Sequence, residues 1–348
     1  MDVSAIELSQ RLDRLDARCF LVHGGEVLLV EEARDTLKQF FAQAGHTDQS
    51  RHSVEAGFDW ASFNQSSQTL SLFAERRFLE LRIPTGKPGD KGVEFLKDFI
   101  PTCPDDTILV VLMGKLDKRQ LASAWCKSFQ QHGVVVEARP VPTGQLPNWI
   151  QQRFQQSGFQ CDRDVAQRLA YYVEGNLLAA DQEIRKLTLM MQPGEKLGMD
   201  ELEKRTTDNS RFNVFAFVDA CLAGNSGRCL RILGRLKEEG VEPILLAWSL
   251  AREMRALSSL SAEIAQGINS SEAFRKHRIW SSRAPLVSAV LKRHRPAVIL
   301  SILKRIAWLD RLIKGQEPNA SGPRQIWFEI ERIALAICGI NVIKSASK

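Results

Sequence analysis

Two turns in the first third of the sequence stand where phosphate chemistry could occur. The first, His23-Gly24-Gly25-Glu26-Val27-Leu28, joins a short apolar run to an amphipathic stretch. A glycine turn that opens a helix is the usual cradle for phosphates, because backbone N–H groups and the helix dipole both favour an anion there. No G-x-x-x-x-G-K-[ST] is present, so the lysine that reaches β- and γ-phosphates and the hydroxyl that binds Mg²⁺ are both missing. Glu26 adds a negative charge where phosphates would sit. The second turn, Gly114-Lys115-Leu116-Asp117, follows the most apolar run of the chain. An acid pair that holds magnesium and activates water belongs at such a place, and Asp117 stands there alone. The two turns read as a nucleotide-binding scaffold without nucleotide chemistry.

Other catalytic patterns are also missing. His23, His46, His52, His132, His277 and His294 show no HxH or HxxxH spacing, and there is no GxSxG. Neighbouring acids such as Glu31/Glu32, Asp105/Asp106 and Glu238/Glu239 would point about 100° apart on a helix and not converge on one substrate. The seven cysteines are scattered and form no CxxC pair. They are expected to be reduced, buried thiols in a cytoplasmic protein, with no zinc site and no disulfide framework. Neither a cofactor nor a metal is expected.

The elements that would position these residues alternate at first. Apolar strands are predicted at Cys19–Gly24, Arg77–Ile83, Thr107–Met113 and Val134–Glu137, with a weak one at His52–Ala56. Helices are predicted between them at Val27–Ala44, Asp59–Asn64, Val93–Ile100 and Lys118–Gln131. Continuous apolar strands separated by helices imply a parallel sheet covered on both faces. After the Pro- and Gly-containing stretch Arg139–Leu146 only helices are predicted. The expected organisation is an α/β domain over 1–140, a small helical bundle over 141–210 and a longer helical domain over 211–348. Runs such as Ile108–Met113 are too short to span a bilayer, and the N-terminus does not read as a secretory signal.

Charge is unevenly divided. Residues 211–348 hold 22 Lys+Arg against 11 Asp+Glu, so the first 210 residues hold 25 against 30. No acid occurs between Glu272 and Asp310. This basic part suits a polyanion partner, and a solvated helical face explains it equally. Within it, Lys276-His277-Arg278-Ile279-Trp280-Ser281-Ser282-Arg283 sets one aromatic among cations, which suits phosphate neutralisation with base stacking. Packing of Trp280 between helices is the other reading. A further segment, Gln68-Thr69-Leu70-Ser71-Leu72-Phe73-Ala74, carries an apolar pair between polar flanks. It reads either as a docking element, with Gln68 fixing register, or as core under the sheet.

With these residues in view, the sequence resembles the δ subunits of bacterial DNA polymerase III, of the proteobacterial type. The resemblance rests on QTLSLFAERR (Gln68–Arg77), EGNLLAADQEIRKL (Glu174–Leu187), KHRIWSSR (Lys276–Arg283), FLVHGGEVLLVEEA (Phe20–Ala33), QLPNWI (Gln145–Ile150) and EPILLAWSLARE (Glu242–Glu253), and covers nearly the whole chain. It implies an AAA+-like first domain that does not bind ATP, a lid-like bundle and a helical collar. It also implies a non-catalytic subunit of a DNA-directed DNA polymerase, a nucleotidyltransferase holoenzyme acting at the replication fork. By this resemblance Gln68, Leu70, Ser71, Leu72 and Phe73 bind the β sliding clamp, and the chain joins γ/τ and δ′ subunits in a pentamer that grips primer–template DNA. Lys276, Arg278, Trp280 and Arg283 are then the expected DNA contacts. The rival readings are an ATP-hydrolysing loader subunit with a degenerate loop and a helical DNA-binding scaffold protein.

Overall fold

The most apolar runs become the centre of a six-stranded parallel sheet. Its strands are β1 (Asp2–Ser4), β2 (Cys19–Gly24), β3 (Asp48–Ser53), β4 (Arg77–Ile83), β5 (Thr107–Met113) and β6 (Val134–Ala138), in the order β1-β6-β2-β5-β4-β3. Around them lie α1 (Leu8–Arg11), α2 (Val27–Gln43), α3 (Trp60–Gln68), α4 (Gly89–Phe99), α5 (Lys118–Leu121) and α6 (Ala124–His132). A computed structural model of the chain describes residues 1–68, 76–173, 175–192, 194–206, 210–277, 279, 283–317 and 322–340, by backbone alone at 66, 68, 203, 206 and 210–212.

Every residue of β5 is buried, because successive side chains of a strand point to opposite faces and both faces are covered. Ile108, Val110 and Leu112 join the core under α1 and α2, with Leu37 and Phe41. Leu109, Val111 and Met113 join the core on the other face, with Trp60, Phe95 and Phe129. On the α2 side of β4 the core becomes ionic. Arg82 donates two hydrogen bonds to Glu31, at 2.7 and 2.8 Å, and one to the buried Glu80 at 2.7 Å. The Arg82 guanidinium beside it holds the Glu31 carboxyl below the usual range.

Three expectations are corrected in this region. β1 was not expected; it is three residues long, with Val3 alone buried, too short to show a pattern. The strand expected at His52–Ala56 is β3 at Asp48–Ser53, whose sequence DQSRHS has no apolar residue to mark it. The single helix expected over Lys118–Gln131 is two helices, because Ser123 in extended conformation starts α6 afresh.

The rest of the chain is mostly helical, as expected. Its helices are α7 (Leu146–Gln156), α8 (Arg163–Val173), α9 (Leu177–Leu189), α10 (Met199–Thr206), α11 (Ser210–Ala223), α12 (Ser226–Glu238), α13 (Pro243–Ala265), α14 (Ser270–Lys276), α15 (Ala284–Arg293), α16 (Pro296–Ile313) and α17 (Pro323–Ile337). A short parallel pair, β7 (Gln160–Cys161) with β8 (Lys196–Leu197), departs from the all-helical expectation. Proline in the first turn starts α7, α13, α15, α16 and α17, where its missing N–H costs nothing. Contacts divide the chain into two units, Met1–Pro142 with Asn176–Ala179, and Thr143–Gly175 with Ala180–Lys348. Among the described residues no helix is long and apolar enough to cross a membrane.

Candidate functional site

The turn after β2 is shaped by the sheet. A Cβ on Gly24 would lie 2.0 Å from the carbonyl oxygen of Ala138 on β6, so glycine is required there by strand packing. Glu26 sits directly before α2, and burial raises its carboxyl above the usual range. Lys115 stands beside Gly25, its stem 3.9 Å from where a Cβ would be. Asp117 is committed to a helix cap: its carboxylate accepts from the Gln120 backbone N–H at 2.7 Å, and its own N–H donates to Gln120 Oε1 at 2.8 Å. This reciprocal cap explains the acid without any metal chemistry. His23, at the end of β2, is buried, and desolvation lowers its pKa.

The apolar segment between α3 and β4 has tied ends. Leu70, Ser71, Leu72 and Phe73 lie outside the described residues, and Gln68 is described by backbone only, as the last residue of α3. On the helix side, Ser67 is buried and its hydroxyl donates to the Asn64 carbonyl at 2.8 Å. On the strand side, the buried Arg77 guanidinium donates to the Ser67 carbonyl at 2.9 Å and to Thr107 Oγ1 at 3.3 Å. Arg76 donates to the Ala44 carbonyl, at the end of α2, at 3.0 Å. α3 itself is anchored by Trp60 and Phe63, whose rings lie 5.5 and 5.2 Å from Phe95 of α4. The two stems therefore meet at the amino edge of the sheet, where β4 begins.

The basic stretch divides. Arg278 and Trp280 lie outside the described residues. Lys276 ends α14, is exposed, and donates to Glu263 at 2.8 Å. Arg283 is interior, with a side chain 4% exposed. It donates to Asp219 at 3.1 Å, to Glu253 at 2.5 Å and to the Tyr171 hydroxyl at 2.8 Å. Tyr171 in turn donates to Glu253, and Arg252 lies over the Tyr171 ring at 4.0 Å. Burial would lower the Arg283 pKa, but Glu253 and Asp219 outweigh it and raise it. A guanidinium enclosed this way is not open to a phosphate, so Arg283 is removed from the expected DNA contacts. It instead joins α8, α11, α13 and the start of α15.

One grouping is not legible from spacing. All seven cysteines are free and buried, as expected, but three of them meet. Cys221, Cys229 and Cys338 place their sulfurs within 4.8 Å of one another. Burial pushes the Cys221 thiol up, while hydrogen bonds from Cys221 and Cys229 hold Cys338 down. The short interval between Cys221 and Cys229, across the α11–α12 turn, was the one available signal.

Comparison with known proteins gives the family. The family described as DNA polymerase III, delta subunit, matches residues 20–139. A second, described as processivity clamp loader gamma complex DNA pol III C-term, matches residues 214–344. The DNA polymerase III subunit delta of Escherichia coli (strain K12) is 31% identical over 319 residues, 92% of this chain and 91% of that one. Its counterpart from Haemophilus influenzae is 26% identical over 343 residues, 95% of this chain and 98% of the other. Among solved structures, a Bacillus subtilis DNA clamp loader delta protein shares the fold with a TM-score of 0.58 at 18% identity, covering 96% of this chain and 99% of that one.

Proposed function

The chain belongs to the DNA polymerase III delta-subunit family, and on that premise we propose that it binds the β sliding clamp through Gln68, Leu70, Ser71, Leu72 and Phe73. In this reading it stabilises the open ring for loading onto primed DNA, in a pentamer with γ/τ and δ′ subunits, and neither binds nor hydrolyses ATP. The observation that carries it is the closure of the segment's base by Arg77 on the Ser67 carbonyl. A short apolar element on tied stems loses less chain entropy on docking than one on a free loop. Burying one Leu and one Phe is worth roughly 3–6 kcal/mol, enough for these two side chains to dominate the affinity. Opening the ring further requires tighter binding to the open form than to the closed one.

The absence of ATP chemistry in this reading rests on Glu26 at the start of α2 and on Asp117, which is engaged as a cap. DNA contact is assigned to Lys276, Arg278 and Trp280, without the buried Arg283. The test is capture of the isolated chain on immobilised β clamp. Wild type is retained, and a Leu72→Ala, Phe73→Ala double variant with unchanged melting loses at least about 100-fold in affinity. Retained affinity would remove the assigned element. Tight Mg·ATP binding by the isolated chain would favour an ATP-hydrolysing subunit instead.

A further inference from the structure

We propose that Cys221, Cys229 and Cys338 form a binding site for a soft d¹⁰ metal ion, of which zinc is the cellular representative and cadmium a spectroscopic stand-in. The three sulfurs come from three places: near the end of α11, the first turn of α12 and the residue that closes α17. Cys221 and Cys229 Sγ are 3.3 Å apart, and all three sulfurs lie within 4.8 Å of one another. A metal–sulfur bond of about 2.3 Å requires sulfur separations of roughly 3.8–4.0 Å, so the present spacing brackets the bound geometry. No fourth His, Cys, Asp or Glu joins the group among the described residues. Thiolate is also the donor that selects soft ions over magnesium or calcium.

Charge at the site fits a divalent ion. Three thiolates around such an ion leave one net negative charge, and one fixed cation stands next to them. Arg293 donates to the Leu222 carbonyl at 3.2 Å and to the Ile337 carbonyl at 3.1 Å, the carbonyls adjoining Cys221 and Cys338 in sequence. It occupies a slot between two glycines of positive φ. A Cβ on Gly224 (φ +78) would come within 2.5 Å of its guanidinium, and one on Gly339 (φ +94) within 2.6 Å of its Cδ. The cation is thereby held beside the sulfurs and cannot turn outward freely. As each metal–sulfur bond forms, a protonated thiol releases its proton to solvent, and no oxidant or reductant is needed.

The site is independent of the clamp-binding reading, and its test is separate. The full chain is refolded under reducing conditions with Cd(II), so that burial does not block entry of the metal. The expected result is one Cd(II) retained per chain, with sulfur-to-cadmium charge-transfer absorption. Cys229→Ser and Cys338→Ser each weaken binding at least tenfold, while Cys126→Ser, in the other unit, leaves it unchanged. A wild type without the absorption overturns the proposal, as does equal binding by the double variant Cys229→Ser, Cys338→Ser. Should a serine variant fail to fold, X-ray absorption at the cadmium edge of the wild type decides: three sulfurs support the site, fewer reject it.

Discussion

The turn after β2 and the segment before β4 leave the same sheet at opposite edges. In parallel sheets ligands bind beyond the carboxyl ends of the strands. Here the groups at that edge have other partners: Gly24 is pressed against Ala138, Glu26 stands at the helix start, and Asp117 is bound in a cap. The amino edge, which usually carries no site, has the arrangement of a handle. Arg77 ties β4 to the end of α3, and an aromatic cluster fixes α3 on α4. On the proposed function, the scaffold gives up one edge and uses the other without altering its strand order.

The comparison can be broken at several points, and the largest effect is expected at the anchor. Trp60→Ala removes a buried ring and should cost about 3–5 kcal/mol in urea unfolding; a loss under 1 kcal/mol would mean that α3 is not held this way. Gly24→Ala comes next. The added Cβ must displace β6 or β2, at about 1–3 kcal/mol, and a neutral result would show that the turn has room the strands do not reveal. Arg77→Met leaves the Ser67 carbonyl without its donor. About 1–3 kcal/mol of stability should go, and clamp affinity should fall about tenfold as the stems loosen. Unchanged affinity in that variant would separate the tied base from docking.

The smallest effect sharpens the other side. Because burial raises the Glu26 pKa in the fold, its carboxyl favours folding below its unfolded pKa, and that contribution is lost as pH rises through the folded value. Glu26→Gln should therefore be slightly more stable than wild type at neutral pH, by under about 0.5 kcal/mol, with the difference fading in acid. Melting curves at pH 4 and pH 7 would show it, and a destabilised variant at pH 7 would mean that the charge contributes at the helix start after all.

What the sequence made legible follows burial. β2 and β5 were readable because both of their faces are covered, which turns them into unbroken apolar runs. β3 was misplaced because an edge strand reading DQSRHS has no periodicity to follow. A local cap needs only neighbouring residues: Asn176 stands directly before α9, and its Oδ1 accepts from the Ala179 N–H at 2.9 Å. Arg283 was misread because its partners, Glu253 and Asp219, lie 30 and 64 residues away, and a charge in sequence does not show whom it faces. The cysteine trio was missed for the same reason, since Cys338 reaches the other two only through the packing of α11, α12 and α17.

Arg293 has one more effect. Its slot exists only where two residues lacking a side chain face each other, and its donors grip the terminal carbonyls of two helices at once. Sliding α17 by a single residue would turn it about 100° and bring a bulkier neighbour of Gly339 into that gap. The guanidinium thus works as a detent: it admits one rotational phase of α17 against the end of α11.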